Sequence, residues 1–465
     1  MASFFVQNFG CRATQADGAA IERQFEERGL ARADGPAQAE IVVINSCTVT
    51  ASADQDARAA IRRARRENPS CQIVVTGCYA QRAPQEVASL PGVSRVIGNS
   101  HKHQLAEIVS RGDVAGAEST TGFVFLSSLT SDPQNQIFVS DIFAHTELLA
   151  APVFDHAAPG ANHSRTRPNL KVQDGCDNRC SFCVIPYVRG QSRSLPLGTI
   201  LTEVDALIHA GYREIVISGI NLGRWGRDLL SAGNSDRFFS SREWHFEDLI
   251  RAILSGTSLE KLRISSVEPM DWSDELVELM AKSPRIAKHA HVPLQSGSDR
   301  VLRAMYRKYR PWHYREKIEK LRAAMPTAAI GADVMVGFPG ETETDFEETR
   351  LFIEELPFTY LHVFTYSSRP GTPAAAMRNQ VPVHIARERN RILRDLAADK
   401  KLAFMRSFVG KTVEAITLDV FDGESTEALT DNYLKLQLTG QHEANQWVKA
   451  RVEKVEAGSL LGTVA

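Results

Sequence analysis

Residues 169–183, NLKVQDGCDNRCSFC, set a short apolar run against a polar turn that carries three cysteines. Residues 170–173 read as a strand closed by Asp174 and Gly175, after which Cys176, Cys180 and Cys183 follow in a C-x3-C-x2-C spacing. Three thiolates on one tight loop can hold three irons of a cubane cluster and leave the fourth iron open to an outside ligand. A structural zinc ion normally wants four closed ligands, and no fourth cysteine stands close in sequence. His289 and His291 could complete a zinc set in principle, although histidines on apolar strands are more often structural.

Working outward, the strand before this loop is the first of six. Strands are expected at 170–173, 214–218, 262–266, 290–294, 330–336 and 361–366, with helices at 199–210, 273–281, 312–324 and 343–355 between them. Six such units fit an incomplete (β/α)6 barrel over 169–395 better than a closed eight-fold one, with 228–244 as a loop insertion. Upstream, strands at 3–7, 41–45 and 73–76 alternate with helices at 15–28, 53–66 and 81–89, which predicts an α/β domain with a parallel sheet over 1–115. Residues 116–168 lose periodicity and collect Pro, Ser, Asn, Gly and His, the composition of a linker. A charged helix at 385–406 leads into a short-stranded tail from 411. Residues 396–465 therefore read as a connecting helix and a small β-barrel.

A chain of 465 residues has room for about three domains. Its 54 basic and 56 acidic residues exclude histone-like electrostatics but leave room for local basic patches. No apolar run approaches 18 residues, and MASFFVQNFGC lacks a cationic region before an apolar stretch. Membrane association is not expected, and the cytoplasm is the default location. Seven cysteines are few and odd in number, which argues against a disulfide framework. Beyond the compact triplet, Cys11 (NFGCRATQAD), Cys47 (NSCTVT) and Cys78 (TGCYAQ) each fall just past the C-terminal end of an expected strand. In an open parallel sheet those ends share the edge where ligands bind, so the three could converge on a second cluster. Free cysteine is also a common core residue. Cys71 precedes its strand, at the opposite edge, and receives no ligand role.

With these motifs in hand, the chain resembles the radical S-adenosylmethionine methylthiotransferases over nearly its whole length. The match comprises the three N-terminal cysteine motifs, C-x3-C-x2-C, RISSVEP, HVPLQSGSD, GADVMVGFPGET and a tail similar to the TRAM RNA-binding domain. The resemblance implies that Cys176, Cys180 and Cys183 hold a [4Fe–4S] cluster. S-adenosylmethionine would bind its open iron, and one electron would release a 5′-deoxyadenosyl radical. It further implies that Cys11, Cys47 and Cys78 hold an auxiliary [4Fe–4S] cluster carrying the sulfur. Two S-adenosylmethionine molecules would serve each turnover, with a sulfur donor and an external low-potential electron donor of flavodoxin or ferredoxin type. Gly219 and Asn221 in SGINLG, Ser266 and Glu268 in SSVEP, and Gln295 and Ser296 in PLQSG follow expected strands. They are candidates for holding S-adenosylmethionine, the alternative being helix caps and turns. Tyr187 and Arg189 lie just after the cysteine loop, placed to contact cofactor or substrate.

The family divides mainly between enzymes acting on adenosine-37 of tRNA and those modifying an aspartate of a ribosomal protein. NSCTVTASADQDARAAIRRARRENP and SGINLGRWG are most similar to the branch that modifies N6-threonylcarbamoyladenosine-37, giving its 2-methylthio form. The alternatives are isopentenyladenosine-37, the ribosomal aspartate or, in another class, a non-catalytic iron–sulfur or zinc RNA-binding protein. Thr14 stands where the family often has Asn. Residues 300–322 carry nine basic against two acidic side chains, interleaved with Tyr306, Tyr309, Trp312 and Tyr314, a composition suited to phosphate contact and base stacking. A solvated helix face explains such a run equally well. The tail 411–465 has five basic and nine acidic residues, so any RNA contact there rests on placed residues such as Asn432, Tyr433 or Lys435.

Overall fold

The computed structural model describes residues 2–111, 136–145, 148, 166–229 and 244–465. The linker expected over 116–168 and the insertion expected over 228–244 lie mostly outside them. The N-terminal unit is a six-stranded, all-parallel sheet in the order Ala31–Arg32, Ser3–Asn8, Ile41–Ser46, Gln72–Gly77, Val93–Ile97, Gln136–Phe138. Side chains of Ile41–Ser46 alternate between two cores. Val42 and Ile44 pack with Ala57 and Ile61 of helix Ala51–Glu67, and Ile41 and Val43 with Ile21 and Phe25 of helix Arg12–Glu26. Thr50 caps the first of these helices by accepting from the Ala53 amide at 3.2 Å. The helix expected at 81–89 divides into Cys78–Arg82 and Pro84–Ala88. Ala83, which precedes Pro84, is driven out of the helical region to φ −139°, ψ 62°. The sheet takes its sixth strand from 136–138, beyond the expected run of βα units.

The barrel strands are Asn169–Lys171, Glu214–Ser218, Lys261–Ile264, His289–His291, Ala329–Val336 and Tyr360–Thr365. They lie parallel in chain order, the third and fourth joined through bridges Leu262–Ile286 and Ser266–His291. Among the described residues no ladder closes the sixth strand onto the first, which is the open (β/α)6 form the sequence predicts. The fourth strand is shorter than expected and begins one residue earlier, at His289. Helix Phe246–Gly256, not anticipated, packs Leu249, Ile250 and Ile253 into the barrel core.

Helix Val383–Arg406 leads to a closed barrel of five strands in the order Thr412–Phe421, Ser425–Thr430, Lys435–Thr439, Ser459–Val464, Trp447–Glu456. This small barrel docks on the large one. Arg263 reaches the Asp431 carbonyl (3.1 Å), and Asn432 Nδ2 donates to the Thr327 carbonyl (2.9 Å). Arg12 of the N-terminal unit donates to the Tyr433 hydroxyl at 3.3 Å. Asn432 and Tyr433, considered above as RNA contacts, are thus engaged by the chain itself, and Lys435 pairs with Glu427. No described helix is long and apolar enough to cross a membrane.

Candidate functional site

The compact cysteine loop is shaped by the residues just before it. Gly175 has φ +72°, and a Cβ there would stand 1.8 Å from the Gln191 carbonyl oxygen, so only glycine fits. Buried Gln173 holds the loop from inside. Its Nε2 donates to the carbonyl of Gly175 (2.8 Å) and to Ser192 Oγ (2.9 Å), and its Oε1 accepts from the Asn221 amide (2.7 Å). Two side chains donate to the sulfurs: Asn221 Nδ2 to Cys176 Sγ (3.7 Å) and Arg307 Nη1 to Cys180 Sγ (3.2 Å). Burial pushes the Cys176 thiol up to about 11 and the Cys183 thiol up to about 12, and the other sulfurs of the triplet add to both shifts. Such thiols stay protonated unless a cationic centre displaces their protons, which makes them poor free nucleophiles.

The dispersed cysteines meet at the C-terminal edge of the parallel sheet. A Cβ on Gly10, at φ +105°, would lie 2.7 Å from Cys47 Cβ, so the turn before Cys11 abuts Cys47 directly. Burial raises the Cys47 thiol to about 12, with the charges of Cys78 and then Cys11 adding to it. Asn99 Nδ2 donates to Cys78 Sγ at 3.6 Å and to the Val188 carbonyl at 2.7 Å. Cys71 is buried at the opposite end of strand Gln72–Gly77. Helix Ile185–Arg189, which follows Cys183, links the compact loop to the dispersed set: its Val188 packs with Val184 on Cys78.

That helix also delivers Arg189 to a buried charge network. Its guanidinium binds Asp174 at 2.9 and 3.0 Å and Asp17 at 3.0 Å, while Lys102 (3.0 Å) and Lys171 also hold Asp17 and Lys171 reaches Asp174 at 2.9 Å. Three cations face two carboxylates, a formal surplus of one positive charge beside the cysteines. Burial would raise the Asp17 carboxyl, but the three cations outweigh it and hold it at about 2. Burial pulls Lys102 down even beside Asp17, whereas Arg189 is held well above its ordinary value against burial by Asp174, Cys78 and Asp17. Arg189 is therefore the secure cation of the set. Thr14 Oγ1 lies 3.4 Å from Arg189 Nη2 and 3.7 Å from Cys11 Sγ. Sequence reasoning placed Arg189 near cofactor or substrate and missed Gln173, Asn99 and Arg307.

Of the S-adenosylmethionine candidates, Asn221 and Glu268 stand at the compact loop. Glu268 pairs with Arg307, and a cleft lined by Arg179, Cys180, Glu268, Met270, Arg307 and Tyr309 opens beside them. Asn221 Oδ1 is buried without a hydrogen bond, an acceptor available to a ligand. Gly219 abuts Gln173, where a Cβ would lie 2.8 Å from Oε1. Ser266 Oγ contacts His291 Nδ1 at 2.8 Å. Gln295 takes φ +66° and bridges Asp333 and Met335 through its backbone. Ser296 Oγ meets Thr349 Oγ1 at 3.1 Å, in the layer under helix Glu343–Glu355.

Among the described residues, the one set of three or more His, Cys, Asp or Glu ligand atoms all within 4.8 Å of one another is His291, Asp333 and His362. Neither cysteine triplet is drawn together that tightly. A single zinc ion with Zn–S near 2.3 Å would need its sulfurs about 3.8 Å apart. A cubane, whose ligands attach at separate corners, does not require that spacing, and His289 is bound to the Tyr360 hydroxyl at 2.6 Å.

Comparison with known proteins agrees. Residues 170–353 match the Radical SAM superfamily and residues 3–98 the Uncharacterized protein family UPF0004. The chain is 35% identical over 460 residues to threonylcarbamoyladenosine tRNA methylthiotransferase MtaB of Bacillus subtilis, covering 98% of this chain and 94% of that protein. The chain belongs to the radical S-adenosylmethionine methylthiotransferases. It is 34% identical to the Aquifex aeolicus protein of the same name (96% and 99% covered). It is also 33% identical to tRNA-2-methylthio-N(6)-dimethylallyladenosine synthase of Novosphingobium aromaticivorans (89% and 86% covered). Its fold matches the radical S-adenosylmethionine methyltransferase TsrM from Kitasatospora setae, with a TM-score of 0.55 at 16% identity, covering 81% of this chain and 77% of that one. This methylthiotransferase is a transferase that works with [4Fe–4S] clusters and S-adenosylmethionine.

Proposed function

We propose that this methylthiotransferase adds a methylthio group to C2 of N6-threonylcarbamoyladenosine at position 37 of tRNA. One observation carries the reading: the helix that follows Cys183 packs on Cys78 of the other cysteine triplet, in a chain whose relatives from Bacillus subtilis and Aquifex aeolicus are named for that substrate. Cys176, Cys180 and Cys183 hold the cluster that binds S-adenosylmethionine, and Cys11, Cys47 and Cys78 hold the auxiliary one. When bound, these groups supply the radical and the sulfur.

The chain's own residues do the positioning. Asn221 and Arg307 donate to the Cys176 and Cys180 sulfurs, orienting the compact ligands and offsetting their negative charge. Asn99 does the same for Cys78 while tying it to the cysteine-loop helix through the Val188 carbonyl. Glu268, paired with Arg307, keeps an anionic oxygen at the cleft for the amine of S-adenosylmethionine. RNA would meet the exposed members of 300–322, namely Tyr306 and Trp312, since Tyr309 and Tyr314 are buried in the core. The reductant and the sulfur donor come from outside the chain.

The test is nucleoside mass spectrometry of tRNA from a strain deleted for this gene. Loss of 2-methylthio-N6-threonylcarbamoyladenosine, restored by the wild-type chain, is expected. Loss of the isopentenyl product instead would move the substrate to the branch of the Novosphingobium relative. No change in either nucleoside would overturn an RNA substrate.

A further inference from the structure

Three neighbouring barrel strands each turn one polar residue toward a common point. These are His291 on His289–His291, Asp333 on Ala329–Val336 and His362 on Tyr360–Thr365, with Asp333 and His362 directly opposite in the ladder. Both imidazoles converge on the same carboxylate oxygen. His291 Nε2 stands 3.3 Å and His362 Nδ1 3.2 Å from Asp333 Oδ1, and all three ligand atoms lie within 4.8 Å of one another.

His291 is the informative member. It is only 7% exposed, and its Nδ1 is fixed by Ser266 Oγ at 2.8 Å. Its Nε2 is buried and makes no hydrogen bond, although the Asp333 oxygen is close by. A single histidine–aspartate pair needs only His362; here a second, buried imidazole is brought to the same carboxylate oxygen. Around a tetrahedral ion with bonds of about 2.0–2.1 Å, adjacent ligands stand about 3.3–3.4 Å apart, which matches the two measured edges. A ligating imidazole whose other ring nitrogen is pinned by a hydroxyl is the usual arrangement for such a bond. Asp333 completes the donor set with the carboxylate oxygen on which both imidazoles converge. His362 is 55% exposed in its side chain, which gives an ion a route in from the open side of the barrel.

We propose that His291, Asp333 and His362 form a third metal site, for a divalent transition ion of the zinc class. Two nitrogens and one oxygen from the protein leave at least one coordination position open at the barrel's unclosed side, available to water or to an oxygen of a bound substrate. The site uses none of the six proposed cluster cysteines and does not depend on which nucleoside is modified.

The test uses the anaerobically reconstituted protein with both cysteine triplets loaded, titrated with Zn2+ by calorimetry and with Co2+ by visible absorption. One equivalent of ion beyond the cluster iron is expected. His362→Ala, at a half-exposed position whose loss should leave iron content and circular dichroism unchanged, should abolish that equivalent. Ser266→Ala, which only frees the His291 ring, should weaken it about 10–100-fold. Absence of a stoichiometric ion in the wild-type protein, or equal binding by a folded His362→Ala variant with the same iron content, overturns the proposal.

Discussion

The two cysteine triplets solve the same problem by opposite means. The compact one is built within eight residues by a glycine turn and one buried glutamine, so its geometry is almost local. The dispersed one is drawn from three βα turns 36 and 31 residues apart (11 to 47, 47 to 78), and parallel pairing of the strands brings it together. A local site should tolerate loosening of the fold and fail when its loop is altered. A topological site should do the reverse. Between them, the Asp17, Lys102, Lys171, Asp174 and Arg189 network fastens one to the other.

The largest expected effect separates their roles. Cys176→Ala should abolish S-adenosylmethionine cleavage, read as 5′-deoxyadenosine formed under dithionite, and lower iron from about eight to about four per chain. Cys47→Ala should lower iron to the same level yet leave 5′-deoxyadenosine formation within a few fold of wild type, while methylthiolated product disappears. Cleavage lost equally in both variants would mean that the sites are not separable. Gly175→Ala sharpens the point, because its new methyl would meet the Gln191 carbonyl at 1.8 Å and must displace the loop. Iron should again fall to about four, with far-ultraviolet circular dichroism unchanged.

Next in size is the fastening. Arg189→Met leaves Asp17 and Asp174 facing each other with less cation between them, and breaking a buried pair in this way costs about 3–5 kcal/mol. Urea unfolding of the apoprotein should register it. Arg189→Lys should recover part of the loss, since it restores the charge but not the planar fork that binds Asp174 through both carboxylate oxygens while reaching Asp17. The pH dependence has a definite sign. Asp17, depressed from 3.8 to about 2, contributes stability that is fully present above about pH 4 and is lost as pH falls toward 2. In Asp17→Asn the acid limb of the stability profile should flatten over that window.

The comparison also explains what was legible in the sequence. C-x3-C-x2-C is a local spacing and stands out directly, and the dispersed cysteines were placed by the rule that parallel strands share a C-terminal edge. The open barrel followed from six apolar runs, and the small terminal barrel from short alternating ones. The charge network was not legible, because its five members are 17, 102, 171, 174 and 189 in the chain and no periodicity links them. Tyr309 and Tyr314 misled for a related reason: interleaved among basic residues they suggest a stacking surface, yet both turn inward and hydrogen-bond backbone carbonyls at Leu294 and Val292. A residue's neighbours in sequence do not say which face of a helix or turn it occupies.

The smallest effect belongs to the seventh cysteine, and it tests whether the edge rule assigns ligands rather than cysteines in general. Cys71 is as buried as Cys47, at 6% exposure each, so burial alone does not distinguish them. What differs is the end of the sheet. Cys47 follows Ile41–Ser46, whereas Cys71 precedes Gln72–Gly77 and packs with Ala39, Ala64 and Val93. Cys71→Ala removes one sulfur from that core, a loss of about 1 kcal/mol by analogy with small buried truncations. Iron content, 5′-deoxyadenosine formation and methylthiolated product should all stay at wild-type levels, with only the urea midpoint lowered. A drop in iron in this variant would mean that position along the strand does not decide which cysteines serve the cluster.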